Sequence, residues 1–525
     1  MFLSDNQVET IKIVVATGGA AVLLWGLALR LLRRPDAHKR LRDGLLLALG
    51  LLGGACWWNL FVLQGGAYFH VGDTYHYYVG AKYFRELGYT RLYRCTVIAD
   101  AEDGFLEDVR RRQVRDLESN VLRGTREILA EPEKCKQHFS EERWLGFKHD
   151  IDFFRSRAPG NQWAAIQLDH GYNPPPVWGI LGTTLASTGP ASTSQLRVLA
   201  LLDPLLLLVM WACVGRVFGW RAMCVALLYW GTNYPARFGW VGGAYLRQDW
   251  LAAMTIGLCL LRRGRMASAG FMLTLSALLR VFPGFILVGI ALKAMMDMWA
   301  GRRVALSARY RSLAVGCIAA VVVLIPTSVV VAGSWSAWPA FVANSRKYLN
   351  TPVTNFVGLK TVMAYNHDWR ASRVVPLGLE EDRWQLWQEA RRRQFEERRY
   401  LFAALVFGFV ILLALAVRKQ EDWVAAVLGV ALIPMATEVL CYYYSVLLVY
   451  GFLGARREGL GAALCALAAV TGLIGKFVWS NDMRYLLISV AVVGFAWAAT
   501  ASVAIWPMTR THPSVGDQPA LGQHC

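Results

Sequence analysis

Long apolar blocks alternate with short basic links along most of the chain. The block 314–331 (AVGCIAAVVVLIPTSVVV) carries no charge. At about 1.5 Å per residue it nearly crosses a hydrocarbon core of roughly 30 Å. The same pattern predicts spans near 11–32, 44–63, 197–217, 222–240, 247–262, 267–280, 282–299, 312–333, 401–417, 422–440, 442–455, 460–478 and 484–506. The expected fold class is therefore an all-α polytopic membrane protein with about thirteen transmembrane helices. Block 11–32 is too long for the apolar part of a cleavable leader, and a basic cluster follows it, so it reads as a retained span. Arg280 and Pro283 interrupt 267–299, which is either two short helices or one long kinked helix.

Two polar stretches break the alternation. In 64–196, the segment YYVGAKYFRELG (77–88) has apolar positions at helical spacing, with Gly88 as its stop. A charged amphipathic helix is expected over 104–130, and another over 380–400. The chain divides into a two-helix membrane segment (1–63), a first loop subdomain (64–196) and central membrane helices (197–333). A second loop (334–400), C-terminal membrane helices (401–506) and a polar, disordered tail (507–525) complete it. Neither an internal repeat nor a low-complexity tract is found.

Composition narrows the class. Hydrophobic residues make up 55% and charged residues 18%, with a mean hydropathy of +0.35. A soluble enzyme, a disordered chain and a disulfide scaffold are excluded. The net charge of +18 resembles a nucleic-acid signature until it is divided by segment. Residues 64–196 hold 16 Lys/Arg against 17 Asp/Glu, and 334–400 hold 11 against 7. The excess lies in the short links, among them Arg33 and Arg34, Arg262 and Arg263, Arg302 and Arg303, and Arg456 and Arg457. These links fall on one side if the N-terminus is outside, and the positive-inside rule makes that side the cytoplasm. Both long loops then face outwards, and no nucleic-acid partner is expected.

Of ten cysteines, eight lie in or near spans or in the tail, where the thiol is usually a small apolar filler. Cys95 and Cys135 share the first loop. A disulfide is permitted there in an oxidising compartment, and spacing alone does not decide it. No CxxC or HxxxH pattern marks a zinc site, and no carboxylate cluster marks a hard-cation site, so no metal is expected.

Chemistry-bearing residues concentrate after the second span, in FHVGDTYHYYVGAKYF (69–84). Asp73 has His70, His76, Tyr75 and Tyr77 as neighbours. A carboxylate beside a lipid surface and aromatic rings suits a general base. It equally suits a helix N-cap. Arg280, between two apolar runs, is costly unless it is paired or reaches water, and its guanidinium suits a phosphate. Arg237 and Arg247 lie in a short outer link with Asp249, which either pairs with Arg247 or orients an acceptor. Asp169 and His170 precede a rigid tri-proline, which serves a site or simply a structural corner. In the second loop, Lys347 and Lys360 are candidates for phosphate, and His367 for proton transfer or the leaving group. The row CYYY (441–444) reads as helix packing.

Three segments resemble the GT-C superfamily of integral-membrane glycosyltransferases. GDTYHYYVGAKYFRELGYTRLY (72–93) looks like the first-loop segment of those enzymes. GYNPPPVW (171–178) is similar to the proline-rich segment that precedes the third span. LLRVFPG (278–284) looks like the basic-x-x-Pro segment of the polyprenol-phosphate-mannose branch. The N-terminus-out topology, with an extra span before the Asp-bearing loop, departs from the commonest pattern. The resemblance implies a GT-C-like bundle with a large helical first outer loop, in a bacterial inner membrane, with the active site on the periplasmic side. It implies Asp73 as the base of an inverting transfer from a polyprenyl-phosphate sugar, mannose or arabinofuranose. Arg280, Arg237, Arg247, Lys347, Lys360 and His367 would meet the donor phosphate. His70, Tyr75, His76, Tyr77, Asp169, His170 and Asp249 would meet the acceptor, a glycolipid, glycan or protein. The lipid-linked sugar is a substrate, and no cofactor is expected. The rival reading is a lipid or glycolipid flippase. It would usually show internal repeats and has no need of a large acid-aromatic outer loop.

Overall fold

A computed structural model describes residues 3–64, 68–158, 160–302, 305–375 and 381–508. The expected disordered tail therefore lies, from 509 on, outside the described residues. The described residues are mostly helical, with two small antiparallel strand pairs among them.

Seven helical segments among the described residues are long and apolar enough to cross a membrane. They are Asp5–Leu31, Thr193–Phe218, Phe282–Ala300, Ala308–Ala332, Trp384–Val417, Glu458–Phe477 and Asn481–Ile505. The other expected spans fall on shorter or more polar elements. The helix Lys39–Trp57 spends its first residues on charge, which leaves 44–57 as its apolar part, about 21 Å of helix. The region 222–262 forms Trp220–Thr232 and Asp249–Arg262, separated by an irregular link. The interrupted pair resolves into two helices, Met266–Leu279 and Phe285–Ala300, because Arg280 turns extended and Pro283 opens a new turn.

The stretch 422–454 departs furthest from the periodicity. It is broken into Asp422–Gly429, Leu432–Ala436, the strand Val439–Leu440 and a tight helical run from Cys441 to Val449. Most of its side chains are fully buried. Irregular apolar backbone is tolerated where protein surrounds it and satisfies its polar groups.

Helices meet through glycines. A Cβ at Gly231 would lie 1.7 Å from the Gly53 carbonyl oxygen, at the contact of Lys39–Trp57 with Trp220–Thr232. A Cβ at Gly316 would lie 1.8 Å from the Ala267 oxygen, and one at Gly270 2.2 Å from the Leu313 oxygen, where Met266–Leu279 packs on Ala308–Ala332. Such backbone-to-backbone approach is how small residues hold helices together where apolar burial gives no advantage over lipid.

The polar segment 68–196 is a packed subdomain. Helix Val71–Lys82 is followed by the short turn Phe84–Leu87, which ends at Gly88 as the sequence indicates. The helix expected over 104–130 does not form. Its start is a widened turn with Gly104 at φ 93°, followed by Leu106–Arg110 and a hairpin of Gln113–Asp116 with Val121–Gly124. Asn120, at φ 64°, supplies the left-handed position of that hairpin. Two buried carboxylates organise the interior. Asp150 accepts from Lys82 at 2.7 Å and from Tyr83 at 2.9 Å. Asp100 takes Arg112 and Arg155, each at 2.7 Å. Cys95 and Cys135 form a disulfide. An apolar helix inside this segment, Pro176–Ala186, packs on both Val71–Lys82 and Ala308–Ala332, tying the subdomain to the bundle.

Candidate functional site

The site is organised around the first turn of Val71–Lys82. His70 caps this helix, its Nδ1 accepting from the Asp73 N–H at 3.1 Å. The cap is thus His70, not Asp73, which leaves the Asp73 carboxylate free of that duty. Gly243 brings the opposing link alongside. It sits at φ 81°, where a Cβ would fall 2.5 Å from the Tyr68 carbonyl oxygen, and the neighbouring His70 N–H donates to the Gly243 carbonyl at 3.1 Å. Only glycine allows that approach.

Across this junction, Arg247 Nε lies 2.8 Å from Asp73 Oδ2. The contact is an ion pair by distance without the alignment of a hydrogen bond. Arg247 does not pair with Asp249, the alternative its sequence neighbourhood offered. Its backbone N–H and that of Gln248 donate to the Asp203 carboxylate at 2.9–3.1 Å, which fixes the loop that carries it. Its guanidinium stands 4.0 Å from the centre of the Tyr77 ring.

Arg280 follows the last turn of Met266–Leu279 and is only 5% exposed. Its Nη1 donates to the Leu279 carbonyl at 2.6 Å, and its guanidinium also approaches Tyr77, at 5.7 Å. Nε and Nη2 of Arg280 and Nη1 of Arg247 are buried without a hydrogen bond. Tyr443, whose hydroxyl is within reach of the guanidinium, and Asp249 are the main electrostatic neighbours of Arg280. Two buried guanidiniums with unused donors around one tyrosine make a cradle for an anion.

Asp73, Tyr77, Arg247 and Arg280 all line one cavity of about 470 Å³. His76, Asp169, His170 and Asn173 give it a polar side. Val281, Phe282 and Phe285 give it an apolar side, with Val281 66% exposed. The tri-proline contributes Pro174 and Pro175 to the wall, while Pro176 opens the next helix. Asn344 donates to Asn173 at 2.8 Å and so ties the 337–349 helix to this wall. His76 touches the Tyr93 hydroxyl at 2.7 Å and lies 3.8 Å from Asp169. Burial holds the His76 and His170 imidazoles below their ordinary range, for His170 with the Arg115 charge adding to it.

Seven of the fourteen residues singled out from the sequence thus meet in one cavity. The other seven do not line it. His70 is the cap. Tyr75 is core, its hydroxyl 2.7 Å from that of Thr96 and its ring packed on Trp163. Asp249 sits behind Arg280, its carboxylate accepting from the Trp250 N–H at 2.8 Å. Arg237 stacks on Tyr234 and Trp240, and only Trp240 reaches the wall. Lys347 donates to the Leu117 carbonyl. Lys360 is held by Glu438 at 2.8 Å, and His367 lies exposed beside Tyr365 and Arg370. Cations in a loop find nearer partners than a distant ligand.

Two lining groups were not legible. CYYY reads as packing, and all three tyrosines pack, but Tyr442 and Tyr443 also face the cavity: Tyr443 lies against Phe282 at 4.7 Å and Trp250 at 5.8 Å, Tyr442 against Trp240 at 6.5 Å, and the Tyr444 hydroxyl donates to the Val357 carbonyl at 2.7 Å. Glu438 lines the cavity with both carboxylate oxygens taken, by Lys360 at 2.8 Å and Arg391 at 2.7 Å. The strand pairing of Val439–Leu440 with Phe356–Val357 delivers these residues, and no local pattern announces so short a strand. Among the described residues, no three metal-ligating side chains converge. Compared with protein-family models, with curated proteins and with solved structures, the chain finds no match.

Proposed function

We propose that this chain is an inverting glycosyltransferase of the GT-C type. It would move a monosaccharide, mannose or arabinofuranose, from a polyprenyl-phosphate donor to a hydroxyl acceptor on the outer face of a bacterial inner membrane. The observation that carries the reading is the shared cavity. One carboxylate, Asp73, faces two buried guanidiniums, Arg247 and Arg280, beside an apolar flank of Val281, Phe282 and Phe285.

Asp73 takes the proton of the acceptor hydroxyl. The acceptor oxygen bonds to the anomeric carbon as the bond from that carbon to the phosphate oxygen breaks, and the phosphate leaves with the bonding pair. One displacement inverts the anomeric centre. Arg280 and Arg247 stabilise the charge that grows on the leaving phosphate, where a water-poor site makes fixed donors most effective. Arg247 also holds the Asp73 carboxylate, and positioning replaces covalent catalysis. The apolar flank suits the prenyl chain. The shorter helices around the cavity complete the thirteen membrane passages of this reading, with the basic links on the cytoplasmic side.

The test is transfer of radiolabel from a polyprenyl-phosphate sugar to glycan and glycolipid acceptors by the purified protein, with Asp73→Asn in parallel. Transfer that survives in the variant removes Asp73 as base. Movement of labelled lipid across a vesicle membrane with no transfer at all would favour the flippase reading.

A further inference from the structure

A second cleft, of about 570 Å³, opens beside the cavity. His170 and Val353 line both, so the two spaces meet on the polar side of the cavity. The walls of the cleft come from the hairpin turn around Asn120, the segment 350–354 and the first turns of the helix that begins at Glu381.

That helix shows the cleft one face. Trp384, Gln388 and Arg392 are four residues apart and so lie in one row. Trp384 is partly exposed, and its ring stands edge-on to Trp387 at 5.5 Å. Trp387 is 3% exposed and donates to the Asp482 carboxylate at 3.2 Å. The exposed ring is therefore braced from behind. Cross-links hold the walls apart at a set width. Gln388 donates to the Pro352 carbonyl and Asn120 to the Thr351 hydroxyl, each at 3.3 Å. The rest of the lining is mostly amide, hydroxyl and charged groups, in contrast to the apolar flank of the cavity.

A braced indole among planar amides matches a molecule with apolar ring faces and hydroxyl edges. The volume lies within the usual range for a ligand pocket, about 300–1,000 Å³. A lipid tail would leave the amides unpaired, at a cost. We infer that this cleft binds the glycan chain of an acceptor, with Trp384 as the stacking platform, and delivers its terminal hydroxyl past His170 to the cavity. The delivery step rests on the glycosyltransferase reading; the binding step does not.

The test uses the full-length chain in nanodiscs, with neutral linear tetrasaccharides of mannose and of arabinofuranose as probes. Binding is read by saturation-transfer NMR and calorimetry for wild type, Trp384→Ala, Trp384→Phe and Asp73→Asn. At least one tetrasaccharide is expected to bind wild type and Asp73→Asn alike. Trp384→Ala should weaken it at least about tenfold, and Trp384→Phe, which keeps a ring, should recover much of that. An unchanged thermal transition shows that the variants are folded. No binding of either probe to wild type, equal binding to Trp384→Ala, or equal binding of a neutral tetrapeptide overturns the inference. In the transfer assay, Trp384→Ala should raise the acceptor KM. Trp384-dependent binding without any transfer would leave the cleft standing and remove the proposed function. Transfer with an unchanged KM in Trp384→Ala would do the reverse.

Discussion

Asp73 and Arg247 meet at 2.8 Å, although one opens a helix of the polar subdomain and the other lies in a link between bundle helices. Their contact lies where the two parts of the chain share a cavity. Tyr77, one turn along from Asp73, lies within 4.0 Å of the same guanidinium. A carboxylate, a guanidinium and a ring are thereby locked into one geometry before any ligand arrives.

Replacing Asp73 by Asn keeps its size and removes its basicity. Transfer should fall by about 10²–10⁴, the usual contribution of a general base, while the donor still binds. Initial rates with saturating donor, together with a donor-binding isotherm, check both halves of that statement.

On the glycosyltransferase reading, Arg280→Gln removes one of the two cations proposed to meet the leaving phosphate. The expected loss is about 10²–10³ in kcat, in the range of a lost oxyanion donor. Arg280→Lys restores charge without the fork and should recover only part of it. Equal kcat in wild type and Arg280→Gln would place the leaving phosphate elsewhere.

His76 and His170 are held below the ordinary imidazole range by burial, so the folded chain protonates them at lower pH than the unfolded chain does. The unfolded chain takes up those protons below about pH 6.5. Uptake by the unfolded state alone lowers stability as pH falls. The thermal transition should therefore drop between pH 7.5 and 5, and His170→Gln should drop less. An equal drop in wild type and variant would mean His170 contributes nothing to it.

The Cys95–Cys135 disulfide closes a separation of 40 residues between two side chains buried in the subdomain. Loop closure of that size is worth about 4 kcal/mol in the chain-entropy account. Cys95→Ser with Cys135→Ser should lower the melting temperature of the subdomain, and reducing agent should lower that of wild type but not of the double variant.

Much of this was legible in the residues. Arg280 stands out because a lone arginine between apolar runs is expensive, and Asp73 because acid and aromatics cluster around it. Their meeting was an expectation that only tertiary packing could realise. The helix over 104–130 failed because charge periodicity does not register the backbone turn at Gly104 or the left-handed Asn120. Lys347, Lys360 and His367 do not line the cavity: Lys347 and His367 have partners away from it, and Lys360 stands behind Glu438, which does line it. Tyr442 and Tyr443 were hidden because a row of aromatics reads as packing until a two-residue strand turns it towards the cavity.

The glycine contacts at 270 and 316 bear on Arg280 in a way that charge does not. They press the helix preceding Arg280 directly against its neighbour, main chain to main chain. At those two positions a Cβ would meet a facing carbonyl at 1.8–2.2 Å, so the separation there is set by the backbones. A single added methyl at position 270 or 316 would therefore shift the helix that ends just before Arg280.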